Sequence, residues 1–168
     1  MNIAVDAKRS VLLLAFLFAC LAAAHVIGQA VLFYFGHAYV GREIMVFVEL
    51  VDFDKEANLP TLYSSGLLLL CSILLAAIGE ARQRAGAVFA LHWKGLAVIF
   101  LYLCVDEFVS LHEHLNRPLR SVLDLPEFFH YAWVIPYSIA LGFLLLLYRG
   151  FIVHLPEGTR LLSLVAGI

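Results

Sequence analysis

The sequence predicts an all-α protein: a polytopic transmembrane helical bundle with four full spans and the start of a fifth, forming a single domain over residues 1–168. Three observations predict it. Hydrophobic residues make up 63% of the chain and charged residues 14%, with a mean hydropathy of +0.94. A soluble domain carries about half and about a quarter. Uncharged apolar runs recur at lengths near the ~20 helical residues that cross a bilayer core of roughly 30 Å. These runs are continuous, whereas barrel strands alternate in segments of about ten residues.

The first span covers about residues 11–35. Lys8, Arg9, the apolar run after them and Ala22-Ala23-Ala24 imitate a secretory signal, and LFAC at 17–20 resembles a lipoprotein box. The apolar run continues to Phe35, which favours a span. The second span covers about 61–78, with Asn58, Pro60 and Thr61 as its start signals. The third covers about 87–105, and its helix is expected to run on to 114. The fourth covers about 131–148, and Pro136 is expected to kink it below an aromatic belt of Phe128, Phe129, Tyr131, Trp133 and Tyr137. Residues 159–168 read as an incomplete helix, and LLSLVAGI is too short to span. Further helices are therefore expected after residue 168. Cys20, Cys71 and Cys104 fall in different spans without a CxxC pair and read as apolar core thiols.

Basic residues set the expected orientation. Lys8, Arg9, Arg82, Arg84, Lys94, Arg149 and Arg160 share one side, and Arg42, Lys55, Arg117 and Arg120 the other. The N-terminus is thus expected in the cytoplasm of a bacterial inner membrane, with loops one and three periplasmic. Ten of the 13 acids fall on that outer side, together with His37, His112, His114 and His130. Such a face attracts cations and disfavours nucleic acid as a partner.

Four stretches carry chemistry. DEFVSLHEHL, residues 106–115, follows a run with no charge. On a continuous helix, Asp106, Ser110, Glu113 and Arg117 share an arc of about 60°, flanked by Glu107 and His114, while His112 points away. Ionisable groups at the end of a span are functional candidates, and carboxylates with imidazole suit Fe, Mn, Zn or Cu. An i, i+4 pair of Glu113 with Arg117 on an emerging helix is the plainer reading. VELVDFDKEANLPTLYSS, residues 48–65, alternates Asp52, Asp54, Glu56 and Asn58 as a calcium loop does, but Ala57 and Tyr63 occupy the positions where that loop needs Gly and Glu. It reads as an acidic loop with a helix cap, or as a set of acids, Glu49 included, that folds over the third span's polar end. Glu127 and His130 form an ExxH pair, one of the two that a di-iron bundle uses. Pro126 and Glu127 also suit a helix start. His25, one turn from Gln29 and beside small residues, reads as a hydrogen bond to another helix or as a ligand to a haem or chlorophyll-type macrocycle.

VDFDKEANLPTLYSS together with DEFVSLHE resembles an uncharacterised family of small bacterial polytopic membrane proteins. Its members carry an FDxDxExNxPT-type acidic loop before one span and a DExxSxHE-type end on the next. Val51 stands where the first pattern has Phe. The resemblance covers roughly residues 50–140, implies more helices after residue 168 and brings no activity.

The first functional expectation is a periplasm-facing metal site for oxidative or hydrolytic chemistry at the membrane surface. Its ligands are sought among Asp106, Glu107, Glu113 and His114, with Glu127, His130, Asp52, Asp54 and Glu56 in support; no catalytic residue is assigned. The second is a non-catalytic accessory subunit of a larger membrane complex, pigment- or haem-associated through His25. A proton or cation pathway ranks last, because His25 is the one ionisable residue at mid-depth.

Overall fold

The computed structural model describes residues 6–36, 39–124 and 131–165. Seven helices are described: α1 Ala7–Phe35, α2 Arg42–Leu50, α3 Leu59–Arg84, α4 Ala90–Val109, α5 Leu111–Leu123, α6 Val134–Val153 and α7 Glu157–Val165. The described residues contain no strand. By length and apolar composition α1, α3 and α6 are able to cross a membrane, and α4 with α5 passes the same test as a pair bent by 80°.

The chain divides into two compact units. The first holds Met1–Leu67 with Glu107–Val109, and the second Leu68–Asp106 with Ser110–Ile168.

In the first unit, Asp6 caps α1 by accepting from the Lys8 and Arg9 amides. α2 is a short amphipathic helix that the span count did not anticipate. Val48 is its buried residue, Val51 just after its end is buried as well, and Val48 lies against Gly28 of α1, where an added Cβ would sit 3.3 Å from both Val48 methyls. The loop that follows turns onto the start of α3. Asn58 caps that helix, and Tyr63 donates to the Leu14 carbonyl at 2.9 Å.

In the second unit, α3 and α4 approach closely at Gly79. A Cβ there would lie 2.7 Å from Lys94 Cγ and 3.1 Å from the Lys94 nitrogen. Ser72 donates to the Ala97 carbonyl at 2.7 Å, a side chain bonding helix to helix. Glu80 draws in Lys94 and Arg84 at the end of this hairpin. Phe151 of α6 is buried among Phe89, His92 and Trp93. Across both units the buried side chains are small, polar or β-branched more often than large. The long aliphatics and aromatics face outward. Small residues at interfaces and large apolar ones outside are what lipid as solvent requires.

Two expectations are corrected. The third span's helix does not run on to 114. It stops at Val109, Ser110 takes a left-handed conformation at φ 58°, and α5 departs at 80°. Pro136 does not kink the fourth span. α6 starts at Val134, so Pro136 lies in the first turn, where its missing N–H costs no helical bond.

Candidate functional site

The break at Ser110 makes the site. On a straight helix, residues six apart point about 120° away from each other. The bend turns α5 back, and His112 returns to Asp106. Asp106 is 6% exposed and has both carboxylate oxygens engaged. Its Oδ1 accepts from the His112 amide at 3.0 Å and from the Tyr137 hydroxyl at 2.9 Å. Its Oδ2 lies 3.2 Å from His112 Nδ1. With Asp106 ionised, Nδ1 carries the proton and donates it, which fixes the ring's tautomer.

The network extends along α4 and α6. Tyr102, one turn before Asp106, meets the Tyr137 hydroxyl at 2.9 Å. The Trp133 ring packs edge-on against His112 at 4.8 Å and against Tyr137 at 5.4 Å. Asn116 of α5 accepts from the Trp133 amide at 3.3 Å. The indole Nε1 of Trp133 is buried and has no hydrogen-bond partner among the described residues. His112 Nε2 lies 4.0 Å from Glu113 Oε1.

The sequence-derived candidates are dispersed by the same break. The single polar stripe does not exist, because α4 and α5 are separate helices. Asp106 is in the network, where it accepts three hydrogen bonds from within the chain. Glu107, in the first unit, accepts from Ser64 Oγ. Glu113 is exposed and takes its hydrogen bond from Asn116 Nδ2 at 2.9 Å, in place of the expected pair with Arg117. His114 is exposed and bonds through Nδ1 to the Ser110 carbonyl at 2.8 Å. Glu127, His130 and His37 lie outside the described residues. His112, read as pointing away, is the residue that Asp106 holds. Tyr102, Trp133 and Tyr137 also went unnamed as site residues. Their signal was visible only as aromatic residues near a span end.

In the first unit Asp52 is buried, and its Oδ1 accepts from the Asp54 amide at 3.1 Å. His25 Nδ1 accepts from the Phe53 amide at 3.2 Å, with Asp52 Oδ1 at 3.5 Å. An Nδ1 that accepts places the ring proton on Nε2. The loop after α2 therefore reaches down to a residue well inside α1. Asp54 and Glu56 are exposed, and Glu49 pairs with Lys55 at 2.7 Å.

A family model described as "Domain of unknown function (DUF8692)" matches residues 11–168. No curated protein and no solved structure shows significant similarity to the chain.

Proposed function

This chain belongs to the DUF8692 family, and we propose that it is an integral membrane protein with a metal centre on His112 and Glu113, oriented by Asp106. The proposed setting is a bacterial inner membrane, with the N-terminus cytoplasmic and the centre on the periplasmic side. The proposed chemistry is oxidative or hydrolytic, on a substrate that enters from lipid.

The observation that carries this reading is the Asp106 Oδ2–His112 Nδ1 pair at 3.2 Å. Metal-binding histidines commonly give their other ring N–H to a carboxylate, which fixes the tautomer and raises ligand basicity. The Nε2 so presented stands 4.0 Å from Glu113 Oε1. Two ligands of one tetrahedral ion lie about 3.4 Å apart at metal distances near 2.1 Å. A small rotation of the exposed Glu113 carboxylate closes that gap. Glu127 and His130 are the proposed further ligands. Imidazole with carboxylate suits Fe, Mn, Zn or Cu, and such an ion would activate water or oxygen.

The test is elemental mass spectrometry on untagged protein purified in mild detergent without chelator. Near-stoichiometric metal in the parent, lost in a folded His112→Ala variant and reduced in Asp106→Asn, supports the reading. Absence of metal from the parent defeats it. That outcome favours an accessory subunit of a larger complex, which the bonds of Asp106, Glu107 and His114 to groups within the chain also suit. Co-purification of partners would then identify the assembly.

A further inference from the structure

A groove of about 510 Å³ runs along α4 and α6 in the second unit, beside the Asp106 network. Leu103, Leu141 and Leu144 line its body, and Tyr102, Tyr137 and Trp133 its polar end. Its size falls in the usual range for small-molecule sites, about 300–1,000 Å³.

The direction of the hydrogen bonds at that end selects the head group. Asp106 is an acceptor, so the Tyr137 proton is spent on Oδ1. The 2.9 Å bond between the two tyrosines must then use the Tyr102 proton. Tyr102 Oη is left with lone pairs and no proton to give. It is an acceptor at the edge of an apolar groove, in a residue that is 49% exposed. Asp106 itself is buried and turned toward three donors within the chain, so Tyr102 Oη is the polar atom that the groove presents on this side.

We propose that this groove binds a neutral lipid-soluble molecule with a hydroxyl head and an apolar tail, whose hydroxyl donates to Tyr102 Oη. A ketone, quinone or ether head lacks the required proton. At Tyr102 such a head could bond only by pulling the Tyr102 proton away from Tyr137. The assignment names the substrate class for the centre proposed above and rests on that reading for its catalytic meaning. Binding itself requires no metal.

The experiment uses full-length protein in lipid nanodiscs, in a Trp93→Phe background that leaves Trp133 as the one indole. Tail-brominated 1-dodecanol and a tail-brominated alkylphenol are titrated beside their O-methyl ethers, and quenching of Trp133 is followed. Saturable quenching is expected, with a hydroxyl probe binding about fivefold tighter than its ether, the effect of one hydrogen bond. The aliphatic and phenolic arms tell which source of hydroxyl is preferred, and a preference for either supports the proposal. In Tyr102→Phe the hydroxyl preference is expected to vanish while the variant keeps its melting temperature within a few degrees. If Trp93→Phe fails to fold, the difference between the parent and Trp133→Phe supplies the same signal. Non-saturable quenching, or equal affinity for alcohol and ether, overturns the proposal. His112→Ala separates the two readings: it is expected to lose metal and retain probe binding.

Discussion

Asp106 and His112 are bonded twice across the break between α4 and α5, through the His112 amide at 3.0 Å and its ring Nδ1 at 3.2 Å. One carboxylate therefore both holds the start of α5 and orients the imidazole. The Asp106 side chain is 8% exposed and the His112 side chain 15%. The two bonds thus form in a largely dry setting, where an unmet donor is costly.

Asp106→Ala leaves the His112 amide, the His112 ring and the Tyr137 hydroxyl without their acceptor. Breaking a buried network of this kind is expected to cost about 3 kcal/mol. Asp106→Asn keeps one acceptor oxygen and forces the imidazole to change tautomer, so it is expected to lose about half as much. Unfolding in mixed micelles by denaturing detergent measures both. Val122→Ala, at an exposed position of α5, is the control and is expected to stay within about 0.5 kcal/mol of the parent. Equal stability of Asp106→Ala and that control would remove the network from any structural role.

Ser110 carries the bend at φ 58° and ψ 42°. A non-glycine residue in the left-handed region costs about 1–2 kcal/mol. Ser110→Gly is expected to relieve part of that and stabilise the protein by about 0.5–1 kcal/mol, after the added freedom of the unfolded chain is set against it. Ser110→Val is expected to destabilise by about 2 kcal/mol, because a β-branched residue tolerates this conformation worst. The same unfolding assay reads both signs. A stabilising valine would show that the helix runs straight in solution.

The break also marks where the sequence stopped being legible. Spans one, two and four follow from apolar length, and α1, α3 and α6 occupy those stretches because nothing inside them interrupts the helix. The bend between α4 and α5 follows no local signal. Ser-Leu is neither Gly nor Pro, and Asp106 with His112 at a six-residue spacing reads as two faces about 120° apart until the turn is known. α2 was hidden differently. EIMVFVEL is too short and too charged for a span, and its apolar side is explained by packing on Gly28. Asn58 was legible as a helix start, since its side chain suits that position on any helix. The bond from Phe53 to His25 was not, because it joins residues 28 apart.

Asn58 does more than begin α3. Its Oδ1 accepts from the Thr61 amide and hydroxyl, both at 3.1 Å, and its Nδ2 donates to the Asp52 and Lys55 carbonyls. Asn58→Ala removes the cap and the loop closure together and is expected to cost about 2 kcal/mol. Asn58→Asp retains the capping acceptor but turns an oxygen toward two carbonyls, so it is expected to recover less than half of that. Limited proteolysis gives a second readout. Cleavage within residues 52–58 should rise in both variants, and unchanged cleavage in Asn58→Asp would show that the two donated bonds are not needed to hold the loop.

Gly95 and Tyr148 offer a test of helix approach in the second unit. A Cβ on Gly95 would lie 2.2 Å from the Tyr148 hydroxyl oxygen but 3.5 Å from Cζ, an ordinary contact. The clash is therefore with one atom, and that atom bonds the His92 carbonyl at 3.2 Å. Gly95→Ala is expected to cost about 1–3 kcal/mol through overpacking. Tyr148→Phe alone should cost about 1 kcal/mol, the worth of one hydrogen bond. Combined, they should couple favourably by about 1 kcal/mol or more, because phenylalanine vacates the space that alanine needs. Gly79→Ala behaves differently, since its Cβ would also press on the Lys94 backbone nitrogen at 3.1 Å. Lys94→Ala removes the side-chain clash and leaves the backbone one, so its rescue is expected to be partial. Full additivity of Gly95→Ala with Tyr148→Phe would mean that α4 and α6 do not approach as closely as Gly95 permits.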